Sequence, residues 1–239
     1  MSERFLRQEM MLGSEAMEKL SRAHVAVFGV GGVGSWCAEA LARAGVGRLT
    51  LIDQDTVSLT NVNRQIIALS STVDRPKAEV MAERIYDINP AIRTNPIVGT
   101  YKAEDRERFF ADYDFVVDAI DLVSCKLDLI LSCRERDIPI ISALGTGNKK
   151  NAALLEITDI SKTYGCALAR VMRKELRARG INHLDVVFSP EEPMEPEQLE
   201  APPPGRRSVP GSLVWVPAAA GLLMAQHIVD RLTADKENR

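Results

Sequence analysis

The sequence VAVFGVGGVGSWCAEALARAGVGRLTLID, residues 25–53, decides the fold class of this chain. It begins with an apolar run, residues 25–28, and ends with a second one, residues 49–52, which leads into Asp53. Between them is a G-x-G-x-x-G motif made by Gly29, Gly31 and Gly34, with an additional Gly32. Small and apolar residues at helical spacing follow the glycines. This order predicts a strand, a tight turn, a helix and a second strand, the start of a Rossmann-like, doubly wound and mainly parallel α/β sheet.

The glycine-rich turn predicts a nucleotide site at the carboxyl edge of the sheet. Glycines let the backbone bend sharply and approach a phosphate closely, and the first N–H groups of the helix are free to bind an anion. Asp53 follows the motif by about 20 residues, which suits acceptance of hydrogen bonds from ribose hydroxyls. The motif leaves NAD, FAD and ATP as alternatives, and a glycine-rich turn without a ligand is the structural alternative.

Composition narrows the class of protein. The chain has 239 residues, 46% hydrophobic, with a formal net charge of −3. We therefore expect one domain over residues 1–239 and no overall basic surface for nucleic acid, so RNA contact would need a local patch. The four cysteines form no C-x-x-C pair, which argues against a thiolate zinc site. Without a secretory signal, the cytoplasm is the expected compartment.

Three features are expected towards the C-terminus. The apolar run at residues 213–229 contains Pro217, which suits the start of a buried helix over residues 217–232 better than a membrane span. Residues 190–207 are rich in proline and acid and predict a mobile surface loop. Residues 233–239 predict a flexible tail. We expect no membrane association.

The remaining elements follow from apolar periodicity and from Gly and Pro positions. Helices are predicted over residues 4–12, 14–21, 76–85, 103–111 and 122–136. Further strands are predicted over residues 92–101, 114–121, 138–143 and 152–159, with a late strand over 183–189.

A polar segment after Asp53 lies at the predicted ligand-binding edge. It carries Asp55, Asn61 and Arg64, and a helical turn would place the last two on the same side. Lys77 begins the next helix, where a cation opposes the helix dipole. It is therefore a candidate phosphate ligand, although an exposed lysine on a solvated face is the simpler alternative.

Acidic residues end the strand predicted over residues 114–121. Asp118 and Asp121 fall on the same edge as the glycine turn. Mg²⁺ bound to a nucleotide prefers one or two carboxylates together with phosphate oxygens, so either acid is a candidate ligand. The alternative is an acid that caps the following helix.

A basic helix follows Cys166. Its cations at three- and four-residue spacing form one face that could hold RNA phosphates, or could simply be solvated: Arg170, Arg173, Lys174 and Arg177. Cys166 could be a nucleophile, although a buried thiol fits equally, because no histidine or metal motif adjoins it.

Several of these motifs together resemble the ubiquitin-activating superfamily, over about residues 4–159 and the final helix. The matching stretches are RFLRQ, GVGGVGS, LIDQDTVSLTNVNRQ, RPKAE and DAID. Within the superfamily, ALGTGNKK, ITDISKT and CALARVMRKELR resemble the tRNA threonylcarbamoyladenosine dehydratase branch. The C-x-x-C pair of several relatives is missing.

The resemblance implies ATP and Mg²⁺ as cofactors. It implies that the nucleotide is held by the glycines of the turn and by Asp53, Asp55, Asn61, Arg64, Lys77 and Asp121. Arg7, Arg64, Lys77 and Asp121 would also be catalytic, with Asp121 serving the magnesium. Arg7 would reach the partner subunit's site, which implies a homodimer, and Arg4 is the nearby alternative.

The implied reaction is ATP-dependent dehydration of threonylcarbamoyladenosine in tRNA through carboxylate adenylation, releasing AMP and pyrophosphate. One alternative is adenylation of a ubiquitin-like sulfur carrier, with a cysteine desulfurase or sulfur-acceptor system as partner and a role for Cys166. A NAD-dependent dehydrogenase and a nucleotide-binding scaffold without turnover are further alternatives.

Overall fold

The computed structural model describes residues 3–199, 201 and 208–234. These residues form a seven-stranded sheet in the order β3-β2-β1-β4-β5-β7-β6. The strands are β1 (His24–Phe28), β2 (Arg48–Asp53), β3 (Arg93–Val98), β4 (Phe115–Asp118), β5 (Ile140–Ala143), β6 (Glu156–Asp159) and β7 (Asp185–Phe188). The α-helices are α1 (Leu6–Arg22), α2 (Gly34–Arg43), α3 (Lys77–Ile88), α4 (Val123–Glu135), α5 (Ala167–Arg177) and α6 (Trp215–Thr233).

All neighbouring strands pair in parallel except β6, which is antiparallel to β7. Strand β1 is buried along its whole length between β2 and β4. The chain leaves β1 towards β2 and β3 on one side and returns at β4 on the other, so the strand order reverses at this point. Ligands of open parallel sheets bind at such a reversal, beyond the carboxyl ends of the strands. The predicted fold class is confirmed.

Helix α6 packs directly on α2. A Cβ on Gly221 would lie 2.4 Å from the backbone oxygen of Val33, so the two helices approach at a distance that only glycine permits there. The sequence prediction of a buried final helix agrees with this packing. No helix within the described ranges is both long and apolar enough to cross a membrane.

Some predicted elements differ in detail. Helix α1 breaks at Gly13, with φ of +81°, which gives the two predicted helical segments. The helix predicted at 103–111 is a 3-10 turn over Ala103–Phe109, because Asp105 leaves helical geometry. The strand predicted at 152–159 begins with a 3-10 turn, Ala152–Leu154, so only β6 is extended.

The segment predicted to be a mobile loop is described only in part. Residues 190–199 contain no helix or strand, but the Glu191 carboxylate accepts hydrogen bonds from the N–H groups of Lys150 and Asn151. Residues 200 and 202–207 lie outside the described residues, and the mobility of this segment stays a prediction. Thr233 belongs to α6, and residues 235–239 of the predicted tail also lie outside the description.

Candidate nucleotide-binding site

A cavity of about 760 Å³ opens at the carboxyl edge of the sheet, where the strand order reverses. It brings together residues from the glycine turn, the polar segment after β2, the start of α3 and the end of β4. The predicted ligand-binding residues that line it are Gly29, Gly31, Gly32, Asp53, Asp55, Asn61, Arg64, Lys77 and Asp121.

Glycine is needed at different positions of the turn for different structural reasons. Gly29 has φ of +88°, and a Cβ there would lie 2.5 Å from the Ala119 oxygen. A Cβ on Gly34 would lie 1.8 Å from the Gly29 oxygen. In contrast, a Cβ on Gly31 would meet only the Gln65 side chain, at 3.7 Å. Gly29 and Gly34 are therefore required by the fold, whereas Gly31 keeps the cavity open to a ligand.

The Asp53 side chain binds the backbone of the glycine turn and of the segment after β2. One carboxylate oxygen accepts from the N–H of Val30 at 2.6 Å, and the other accepts from the N–H of Asp55 at 2.8 Å. Burial raises the pKa of Asp53, and this effect outweighs the opposing effects of Lys77 and the two N–H donors. Each oxygen keeps a lone pair, so ribose hydroxyls would add donors to a carboxylate that has lost solvent.

Lys77 is buried, and the alternative of a solvated lysine is therefore wrong. Its side chain is 8% exposed, and Nζ lies 2.9 Å from a carboxylate oxygen of Asp55. The Lys77 N–H also donates to the backbone oxygen of Asp55. These contacts hold a cation at the cavity wall, at the start of α3.

The loop between β2 and α3 fixes Arg64 and Asn61. The Asn61 side chain accepts from the N–H of Ser58 at 3.1 Å. Nη1 of Arg64 donates to the Thr60 oxygen at 2.9 Å and to the Asn63 side chain at 3.0 Å. Among the described residues, Nη2 and Nε of Arg64 have no hydrogen-bond partner, so they are available to an anion.

Gln65 is a cavity residue whose role the sequence did not indicate. It is 6% exposed, and its Oε1 has no hydrogen-bond partner within the described part of the chain. A buried amide oxygen without a partner is costly unless a ligand or water supplies a donor. Its position beside Arg64 was visible in the sequence, but its burial was not.

The opposite rim of the cavity comes from distant parts of the chain. Residues 145–148 and 210–212 both line it. Asn148 joins them: its N–H donates to the Gly211 oxygen at 2.8 Å, and its Oδ1 accepts from the Gly211 N–H at 2.6 Å. No local sequence pattern indicates this contact, because the two residues are 63 positions apart.

The two candidate acids after β4 have different environments. Asp118 is fully buried, lies 2.9 Å from Nζ of Lys126 and accepts a hydrogen bond from Ser142 at 2.5 Å. It therefore cannot reach a metal in the cavity. Asp121 is exposed and lines the cavity, which leaves it as the candidate magnesium ligand.

Cys166 is 8% exposed and caps α5, with Sγ accepting from the Ala169 N–H at 3.5 Å. It packs so closely on Gly145 that a Cβ there would lie 2.5 Å from Sγ. This geometry favours the buried-thiol interpretation over a nucleophile.

The basic helix α5 begins at the cavity rim, where Leu168 lines the cavity. Arg170, Lys174 and Arg177 are exposed and have no hydrogen-bond or ion-pair partner among the described residues. Arg173 differs, because its Nη1 donates to the backbone and side-chain oxygens of Thr163. The free cationic face thus comprises three of the four predicted residues.

Arg7 and Arg4 are exposed near the N-terminus, and neither lines the cavity of its own chain. Met10 and Met11 follow them and are 82% and 86% exposed. An exposed apolar surface of this kind is typical of protein–protein contacts.

The fold and this site define a nucleotide-binding α/β protein, and comparison with known proteins identifies its family. Residues 5–239 match the model of the ThiF family, and the chain belongs to that family. The tRNA threonylcarbamoyladenosine dehydratase of Bacillus subtilis (strain 168) is 44% identical, over 99% of this chain and 97% of that protein.

Solved structures show the same similarity. The Escherichia coli tRNA N6-threonylcarbamoyladenosine dehydratase, TcdA, in complex with ATP superposes with a TM-score of 0.88 and 36% identity, covering 99% of this chain and 96% of that chain. The same enzyme in complex with AMP also gives a TM-score of 0.88. The resemblance proposed from the sequence motifs is confirmed.

Alanine should weaken ATP binding at Gly31 and destabilise the fold at Gly34. We expect Gly31→Ala to fold within about 1 kcal/mol of the unaltered protein but to bind ATP at least about tenfold more weakly, because the methyl group enters the cavity. Gly34→Ala should lower the free energy of unfolding by about 3 kcal/mol or more, because its Cβ overlaps a backbone oxygen. Urea unfolding and calorimetric ATP titration measure both effects. Tight ATP binding by Gly31→Ala would contradict the assignment of this turn.

Proposed function

We propose that this protein catalyses the ATP-dependent dehydration of threonylcarbamoyladenosine in tRNA. The observation that carries the proposal is one cavity that combines a glycine-rich turn, a buried acid and two cations, Arg64 and Lys77, beside the exposed cationic face of α5. The named relatives in B. subtilis and E. coli and the ATP and AMP complexes of the E. coli enzyme support it.

The chemistry requires activation of a carboxylate. An oxygen of the threonylcarbamoyl carboxylate attacks the α-phosphorus of ATP, and pyrophosphate leaves. A nitrogen or oxygen of the same substrate then attacks the acyl carbon, closes a ring and expels AMP. Water is lost overall, and ATP cleavage drives the loss. The protein contributes mainly positioning and charge stabilisation.

The residues of the cavity suit these steps. The N–H groups of the glycine turn and the start of α2 would bind phosphate oxygens, and Asp53 would hold the ribose. Arg64 and Lys77, with Asn61, would stabilise the triphosphate and the leaving pyrophosphate. Asp121 would hold Mg²⁺, which supplies further neutralisation of the phosphate charge when bound. One carboxylate with phosphate oxygens is a sufficient ligand set for this ion.

The alternative reaction, adenylation of a sulfur-carrier protein, has less support. Cys166 is the residue that would link the chain to a sulfur-acceptor system or a cysteine desulfurase. Cys166 is only 8% exposed, and its Sγ packs against Gly145, so the thiol is poorly placed for such a reaction.

The face of α5 formed by Arg170, Lys174 and Arg177 is our candidate surface for tRNA. It carries three positive charges without a partner in the described part of a chain whose net charge is −3, and it starts at the mouth of the cavity. Phosphates of a bound RNA would neutralise these charges and release counterions.

We also propose a homodimer in which Arg7 of one protomer completes the site of its partner. The exposed position of Arg7 outside its own cavity, next to exposed methionines, supports this arrangement. The cytoplasm is the proposed compartment, because all four cysteines are free and tRNA is the proposed substrate.

Formation of AMP tests the proposed reaction. With Mg-ATP, we expect AMP release only when tRNA carrying threonylcarbamoyladenosine is added. One AMP should be released for each cyclised nucleoside that forms. Arg64→Ala and Lys77→Ala should each lower kcat/KM by about 10²-fold or more, because each removes a charge from the phosphate site. Arg43→Ala is the control, since Arg43 pairs with Glu39 on α2 and does not line the cavity. AMP formed with a carrier protein instead of tRNA would refute the proposal, and so would full activity of a variant that carries both Arg64→Ala and Lys77→Ala.

Charge reversal on α5 tests the tRNA surface. We expect Arg170→Glu/Arg177→Glu to raise the KM for tRNA by about tenfold or more and to flatten its dependence on salt, while the Kd for ATP is unchanged. The matched control is Arg48→Glu/Arg93→Glu, an equal charge change on exposed residues that pair across β2 and β3, at the opposite edge of the sheet. An equal loss of tRNA use in both variants would remove α5 from the interface.

Mixing two inactive variants tests the shared site. Arg7→Ala and Arg64→Ala should each be inactive alone, and a 1:1 mixture with random exchange of subunits should recover about one quarter of full activity, because half of the dimers then carry one intact site. Steady-state AMP release measures the recovery, and sedimentation velocity measures the dimer. If the mixture is no more active than the two variants measured separately, Arg7 does not act across subunits.

A further inference from the structure

A buried ion pair lies directly behind the cavity and has no part in the steps described above. Asp118, the last residue of β4, lies 2.9 Å from Nζ of Lys126 in α4, and their side chains are 0% and 1% exposed. Ser142 on β5 donates to the same carboxylate oxygen at 2.5 Å. The pair therefore connects the end of one strand to the second turn of the following helix.

Stability is a poor explanation for this ion pair. Removing two charges from water costs free energy, and well-packed apolar residues often serve at least as well in such a place. Apart from the ion pair, Nζ of Lys126 has no hydrogen-bond partner within the described residues, so the ammonium is only partly compensated. Because the costly buried pair joins the two ends of a loop, we infer that it fixes the geometry of that loop.

The loop in question is the connection between β4 and α4, residues 119–122. The second carboxylate oxygen of Asp118 accepts from the N–H of Ile120 at 3.2 Å. The N–H of Ala119 donates to the Phe28 oxygen at 2.8 Å, and Gly29 packs against the Ala119 oxygen. All four residues of the connection line the cavity, and Asp121 is one of them.

We propose that Asp118 and Lys126 are positioning residues that fix the place of Asp121 relative to the glycine turn. The strand end, the connection and the helix start are held together by one carboxylate, so Asp121 keeps its distance from the phosphate-binding turn. This inference rests on the proposed function, in which Asp121 serves the adenylation step. Neither Asp118 nor Lys126 reaches the substrate.

A double-mutant cycle tests the proposal. Lys126→Met preserves the length of the side chain and removes its charge. We expect it to lower kcat for AMP release at least tenfold and to change the KM for ATP less than threefold. In an Asp121→Ala background, the same change should lower kcat less than twofold, because the residue that it positions is gone. Asp118→Asn/Lys126→Met removes both buried charges and gives a second variant in case the single change does not fold.

A matched control separates positioning from stability. Arg84 and Glu39 form another ion pair, 2.7 Å apart, with Glu39 6% exposed, between α3 and α2 and outside the cavity. We expect Arg84→Met to lower the melting temperature less than Lys126→Met does, because Arg84 is 34% exposed and Glu39 keeps its contact with Arg43, and to leave kcat unchanged. Equal effects of the two variants on kcat, or full additivity of Lys126→Met with Asp121→Ala, would overturn the positioning role.

Crystal structures of the Lys126→Met variant decide the question without activity. Displacement of residues 119–122 while the glycine turn stays in place would support the proposal, and an unchanged connection would refute it. If the unaltered protein releases no AMP with modified tRNA, the proposed function fails, and the crystal structures still decide whether the ion pair positions Asp121.

Discussion

The structure depends on one close backbone contact, where the turn after β1 meets the connection after β4. A Cβ on Gly29 would lie 2.5 Å from the Ala119 oxygen, and one on Gly34 would lie 1.8 Å from the Gly29 oxygen. This contact forces the start of α2 towards the carboxyl edge of the sheet. The turn that leads into that helix then lines the same cavity as Asp121, so one packing constraint brings the glycine turn and the acid together.

The two cations of the cavity, Lys77 and Arg64, are held by contacts within the chain. Lys77 is held by Asp55, whose side chain is 56% exposed, so phosphate oxygens can approach the ammonium from the solvent side. Arg64 binds its own loop through Nη1, and its other two nitrogens have no hydrogen-bond partner among the residues that the structure describes. Burial raises the pKa of Asp53, and in the proposed function hydrogen bonds from sugar hydroxyls would stabilise its charged form. Contacts within the chain thus hold the two cations and the buried acid in place around one cavity.

Features that depend on near neighbours in the chain could be predicted from the sequence. The strand, turn and helix around Gly29, the position of Asp53 and the order of most elements follow from spacing alone. Features that depend on distant contacts could not. The burial of Lys77, the ion pair of Asp118 and the join between Asn148 and Gly211 arise from packing between segments far apart in the chain. Family motifs identified the ligand class, whereas the geometry distinguished Asp121 from Asp118.

The contact between α6 and α2 has a consequence for the order in which the cavity can form. Gly221 lies against the backbone of α2, and Pro217 packs beside Gly32 in the glycine turn and lines the cavity. The wall of the cavity beside the glycine turn is therefore completed by a helix that lies far along the chain from β1. The first strands and their turn can form from neighbouring residues, but the cavity is finished only after α6 has packed on α2.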